Sequence, residues 1–150
     1  MGTETVLIGY ISEMWFGSTS KNRFIRRWNR KVIGELPKLD SWPPLNHGMF
    51  SFSGADGVRG GYLGSIIYFG GRYKAIEWEW NEWLAKYEAL LLKLYWTESA
   101  VYLHLSGSFP PYQFSWEVDD QSLQGFLIEP PKLPKSWNFD GSFRSWPPSV

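Results

Sequence analysis

Cysteine is missing from all 150 residues. That excludes disulfides, thiol nucleophiles and thiolate metal sites together. Histidine occurs only twice, as His47 and His104. Neither has carboxylates at ligand spacing, so a zinc site is not expected, and no metal or cofactor is read from the sequence. The motifs HExxH, the nucleophile elbow, the Walker loop and the dinucleotide fingerprint are all absent. Charge of one sign is also missing: fifteen Lys and Arg balance fifteen Asp and Glu. No global field therefore steers the chain toward nucleic acid or an anionic membrane. Long apolar runs are lacking as well. The nearest, Ala89 to Trp96, is broken by Lys93 and far too short to span a bilayer. Met1 to Met14 carries no basic segment ahead of an apolar one, so no signal peptide is expected and the cytoplasm is the default location.

What the chain has in abundance is aromatic side chains: ten Trp, ten Phe and eight Tyr. Most of these rings are expected in the core of a single α+β domain. Thr5 to Met14 reads as a strand, with Val6, Ile8 and Tyr10 on one face and Leu7 and Ile11 on the other. Apolar residues on both faces predict a central position. Ser20 can cap a helix from Lys21 to about Leu36, stopped by Pro37. Its apolar stripe is Phe24, Ile25, Trp28 and Val32, and Arg23, Arg26, Arg27 and Arg30 fall on the opposite side.

Met49 to Ser53 and Tyr62 to Phe69 read as two strands, joined by a turn carrying Asp56-Gly57 and Gly60-Gly61. A second helix is predicted from Ile76 to Tyr95. Its stripe is Ile76, Trp80, Trp83, Leu84, Tyr87, Leu90, Leu91 and Leu94. Ser99 to Ser106 and Tyr112 to Val118 follow as a hairpin with one wet face. The order β-α-β-β-α-β-β predicts an antiparallel sheet with both helices on one face, related to the ferredoxin-like arrangement.

Residues 1–129 are read as this domain and 130–150 as a Pro-rich, aromatic C-terminal arm packed on it. Leaving Trp137, Phe139, Phe143 and Trp146 in water would cost roughly 1.5–3 kcal/mol each. Trp78, Ala85, Ala89 and Leu92 lie opposite the second helix's stripe. Starting that helix after Trp78 removes the tryptophan but leaves the other three in line, so the arm is expected to cross the outer face and seat a ring against Ala85 and Ala89, with dimerisation through the same seam as the alternative.

Several features are weighed as sites. Glu77, Glu79 and Glu82 suggest a glycosidase pair beside tryptophans. Their place in the first turns of a helix gives them a structural role instead. Pro131 to Pro134 matches PxxP, a pattern common by chance. The four arginines could bind phosphate or carboxylate groups, recognise an acidic protein surface, or form a solvated helix face. Arg59-Gly60-Gly61-Tyr62 stands loosely where an RNA-recognition motif keeps its stacking residues, but the pattern fails in detail and the neutral charge argues against nucleic acid.

The run Tyr68-Phe69-Gly70-Gly71, Lys74, Glu77, then Trp83-Leu84-Ala85-Lys86-Tyr87-Glu88-Ala89-Leu90-Leu91 and Leu94-Tyr95-Trp96 resembles the aromatic α+β style of bacterial polymorphic-toxin immunity proteins. The resemblance covers about 30 residues, identifies no member and transfers no functional residue. It implies a cytoplasmic, non-enzymatic protein that binds one toxin and blocks it without chemistry. Neutral charge would suit a non-nuclease toxin better than a nuclease. The expectation is a protein-binding domain using Arg23, Arg26, Arg27 and Arg30, with no catalytic residue. The alternative is a carbohydrate- or nucleic-acid-binding module with exposed aromatics as stacking platforms.

Overall fold

The computed structural model describes residues 4–14, 19–53, 65–106, 110–124 and 131–148. Its elements are β1 (Glu4–Glu13), α1 (Thr19–Gly34), β2 (Phe50–Phe52), β3 (Ile66–Lys74), α2 (Trp80–Leu91), β4 (Trp96–Leu105), β5 (Tyr112–Val118), α3 (Asp120–Gln124) and β6 (Trp137–Gly141). Turns of 3-10 helix occupy His47–Met49 and Ile76–Glu79. The fold is α+β, with one antiparallel sheet in the order β2-β3-β1-β4-β5-β6.

β1 lies inside this sheet, but only one of its faces is covered. Thr5, Leu7, Gly9, Ile11 and Glu13 point into the core, while Ile8 on the other face is 52% exposed. Both long helices pack on the covered face: Arg26 of α1 reaches Glu13, and Tyr87 of α2 hydrogen-bonds Ser99. Gly9 is required where it stands, because a Cβ there would overlap the Phe69 ring and crowd the Ala100 carbonyl.

All eight residues of the predicted α2 stripe are buried. Trp80, Trp83 and Tyr87 stack along the helix at i, i+3 and i+7, with ring centroids 5.0 Å apart at each step. Phe69 and Trp116 close on Tyr87 from the sheet at 5.3 and 5.0 Å. Lys86 ties the connection before β2 to this helix, through Asp40 at 2.9 Å and the carbonyls of Ser41 and Pro43 at 2.8 and 2.9 Å.

Besides smaller shifts, such as β4 starting at Trp96 rather than Ser99, the structure departs from the expected elements in three ways. The second strand of the first hairpin is Ile66–Lys74, displaced toward the C-terminus, and Gly70 and Gly71 lie within it. The predicted Asp56-Gly57 and Gly60-Gly61 turn, Arg59 and Tyr62 are outside the described residues. The second helix is also shorter than predicted. Trp78 belongs to the 3-10 turn before α2, and Tyr95 lies beyond the helix, just ahead of β4, where Asn29 holds its backbone on both sides. Tyr95 N–H donates to Asn29 Oδ1 at 2.9 Å, and Asn29 Nδ2 donates to the Tyr95 carbonyl at 3.0 Å.

The third departure concerns the last 20 residues. They do not cross the outer face of α2, where Ala85 and Ala89 stay exposed and Leu92 is 42% exposed. Trp137–Gly141 instead pairs with β5 as the edge strand β6. Phe143 is buried against Phe114 and Tyr112, both at 5.2 Å, and Trp146 covers it at 5.2 Å. The rings find their burial at the sheet edge, near the start of α2.

Candidate protein-binding face

The buried side of α1 is largely polar. Asn22, Ile25, Arg26, Asn29 and Ile33 face the sheet, with Asn29 wholly buried and Arg26 only 4% exposed. Arg26 and Asn29 converge, with Ser65, on the Glu13 carboxylate at the end of β1. Arg26 Nη1 donates to Oε1 at 3.2 Å, Ser65 Oγ donates to Oε1 at 2.6 Å, and Asn29 Nδ2 donates to Oε2 at 2.9 Å. Arg26 also donates to the Ser53 carbonyl at the end of β2. A buried charge is tolerated only when paired and hydrogen-bonded, and Glu13 has three donors. The cluster pins α1 across β1, β2 and the approach to β3.

Arg26 therefore corrects the expectation of four solvent-facing arginines, since it is buried and paired with Glu13. Arg23 and Arg27 are exposed, and Arg30 is half-buried, with its guanidinium carbon 5.2 Å from the centre of the Phe52 ring. The expected apolar stripe is corrected too. Phe24 and Trp28 are 43% and 36% exposed, because the buried seam runs through the asparagines instead.

These two rings are nonetheless held in place. Trp28 Nε1 donates to the Lys93 carbonyl at 2.8 Å, and Phe24 and Trp28 both rest on Tyr95, at 5.9 and 5.8 Å. Ser20, Arg23, Phe24, Arg27, Trp28 and Lys31 line a shallow groove of about 430 Å³ on the outside of the helix. Arg23, Arg27 and Lys31 follow one another at i, i+4 and i+8, beside the rings at 24 and 28. Lys31 was not singled out in the sequence, although its spacing from Arg23 and Arg27 was visible there.

Thr19–Gly34 holds six of the fifteen cationic side chains and no carboxylate. A chain of zero net charge thus carries a local positive field, reinforced near Thr19 by the positive end of the helix dipole. The surface combines planar cationic forks with ordered, partly wet aromatic rings. It can grip carboxylates and cover apolar groups beside them.

The remaining sequence candidates do not converge on a reactive centre. His47 is exposed in a 3-10 turn, and His104 is exposed on β4. Glu77 is buried, Glu79 half-buried and Glu82 exposed. Among the described residues no group of three His, Cys, Asp or Glu side chains could hold a metal ion, and no helix is long and apolar enough to cross a membrane. A second groove, of about 470 Å³, lies between Trp42 and Trp78 and is floored by Lys74, Ala75 and Glu79. Comparison with protein-family models, with curated proteins and with solved structures finds no match to this chain.

Proposed function

We propose that this chain is a non-enzymatic protein-binding domain that uses the outer face of α1 to grip an acidic surface on another protein. We further propose that the partner is a bacterial toxin, which the domain blocks in the cytoplasm. The observation that carries the reading is the interleaving of Arg23, Arg27 and Lys31 with Phe24 and Trp28 on an exposed face without a carboxylate. Arg and Trp are the residue types that concentrate binding energy at protein interfaces. Rings already fixed by Tyr95 and the Lys93 carbonyl lose little further freedom on binding. The finer fold reading, a ferredoxin-like core, is supported by the run β2-β3-β1-β4 in the sheet.

The test compares the native protein with the triple variant Arg23→Glu, Arg27→Glu, Lys31→Glu. Both should melt alike, because all three side chains are exposed. The native protein should retain a partner that inhibits growth when produced alone, and should relieve that inhibition. The variant should do neither. Equal retention by both proteins would overturn the assignment to α1.

The carbohydrate reading rests on a different observation, the groove between Trp42 and Trp78, whose rings are 46% and 61% exposed. Glycan binding lost in Trp78→Ala, with the partner still bound, would favour it.

A further inference from the structure

Around the axis of α1, at about 100° per residue, the side chains fall into three sectors. Asn22, Ile25, Asn29 and Ile33 face the sheet, and Phe24 and Trp28 stand on the outside. Arg23, Arg26, Arg27 and Arg30 fill a sector of about 100° between them. These four side chains line a cleft of about 150 Å³, distinct from the groove beside the rings. Arg23 and Arg27 border both and form the ridge that separates them.

The cleft is assembled from two kinds of arginine. Arg26 and Arg30 are set in place by the strands beneath. The Arg26 guanidinium donates to Glu13 at 3.2 Å and to the Ser53 carbonyl, and Arg30 stands 5.2 Å from the centre of the Phe52 ring. Arg23 and Arg27 are exposed and one turn apart, so their forks can close on a single group held between them.

We propose that this cleft binds the phosphoryl group of a phosphomonoester, with the rest of the ligand passing over the Arg23–Arg27 ridge toward Phe24 and Trp28. Size comes first. A pocket that encloses a whole small molecule measures about 300–1,000 Å³, so a cleft of about 150 Å³ takes one compact group. Charge selects the group. Glu13 offsets one of the four guanidinium charges through its pair with Arg26. A carboxylate would offset one more, whereas a phosphomonoester brings a charge of about −1.5 to −2 at pH 7.

Donor geometry points the same way. A single bidentate fork satisfies a planar carboxylate, but the terminal oxygens of a phosphoryl group call for donors from several directions. Arginines on successive turns of one helix face supply them. The inner pair is already held, which lowers the cost of ordering the site. A free metabolite and a phosphorylated side chain present the same group. The inference goes beyond the acidic-surface reading and stands without it, because Lys31 and both rings lie outside the cleft.

The test titrates the whole isotope-labelled chain and follows the arginine Nε–H resonances by NMR. The probes are phenyl phosphate, phosphoserine capped at both ends, and aspartate capped in the same way. Both phosphates should saturate the site at low-millimolar concentration or below, and capped aspartate should bind at least tenfold more weakly. Tighter binding of capped phosphoserine would assign the cleft to a phosphorylated protein. Tighter binding of phenyl phosphate would assign it to a small molecule whose ring meets Phe24 and Trp28.

Arg23→Gln with Arg27→Gln should lose at least tenfold in phosphate affinity and melt as the native chain does, since both side chains are exposed. Lys38→Gln with Lys132→Gln removes two exposed cations elsewhere and should bind within twofold of native. Equal binding of capped aspartate and the phosphates would overturn the proposal, and so would the absence of saturation by either phosphate. An equal loss in the two double variants would overturn it too, by showing that net charge and not the cleft holds the anion. If the phosphates fail while the triple variant of α1 still loses its protein partner, the cleft reading falls and the α1 interface stands.

Discussion

The buried cluster around Glu13 makes a sharp division among the arginines of α1. Arg26→Ala removes a guanidinium that is 4% exposed and leaves Glu13 with two neutral donors, Ser65 and Asn29. Stranding one member of a buried ion pair costs about 3–5 kcal/mol. The Ser53 carbonyl loses its donor in the same step. For a domain of this length, 1 kcal/mol moves the melting temperature by about 2–4 °C, so a fall of roughly 6–20 °C is expected. Arg23→Ala and Arg27→Ala, both exposed, should stay within about 0.5 kcal/mol of the native protein. Urea unfolding followed by tryptophan fluorescence measures all three. The double variant Glu13→Gln, Arg26→Met removes both charges and should recover much of the loss. An Arg26→Ala protein within 1 kcal/mol of native, or a double variant worse than Arg26→Ala, would refute the reasoning.

Burial pushes the Tyr73 hydroxyl up to about 12 from 10.0, and burial raises Tyr87 as well. The unfolded chain ionises these phenols near pH 10 while the folded one keeps them neutral. The Tyr73 stabilisation is therefore complete below pH 10 and lost as pH rises toward 12, and Tyr87, raised in the same direction, adds to the fall. Unfolding free energy should fall across that window, less steeply in Tyr73→Phe, and an equal slope in the two proteins would contradict the assignment. Phe143→Ala should cost about 3–5 kcal/mol, because the ring fills a site between Phe114, Tyr112 and Trp146. A loss under 1 kcal/mol would show that the C-terminal segment is not part of the core. Arg27→Glu should raise stability by about 0.5–1 kcal/mol by creating opposite-charge neighbours with Arg23 and Lys31, while weakening partner binding. Unchanged binding in that variant would count against the α1 interface.

How legible each element was depends on how local its causes are. The α2 stripe could be read because eight large apolar residues repeat over five turns, and packing against a sheet leaves them one direction to face. The strand Tyr112–Val118 was readable for the same reason, its polar residues alternating with buried rings. The face of α1 was misread because its orientation is set by Glu13, a carboxylate on another element. That carboxylate draws Asn29 and Arg26 inward and turns Phe24 and Trp28 out. No periodicity within α1 announces this. The end of α2 was missed for a similar cause, the capture of the Tyr95 backbone by Asn29 across the fold. In β6 a signal was present, since Trp137 and Phe139 alternate with Asn138 and Asp140, but flanking prolines made the segment read as irregular. The open sheet face was read as a second buried face because Ile8 and Tyr10 are apolar enough for either role.

The charges of α1 bear on why the outer face exists at all. Arg23–Arg27 and Arg27–Lys31 are like-charge pairs at i, i+4, each destabilising a helix by about 0.2–0.5 kcal/mol. A helix selected for stability alone would place carboxylates between them, as α2 does with Glu82 ahead of Lys86. Positive charge near Thr19 opposes the helix dipole as well. Stability does not require these side chains, because the Glu13 cluster and the buried Ile25 and Ile33 fix the helix from the other side. The inner face supplies the anchoring that lets the outer face keep an unfavourable charge pattern. That leaves the pattern free to serve the proposed binding role, at a cost of about 0.4–1 kcal/mol for the two pairs.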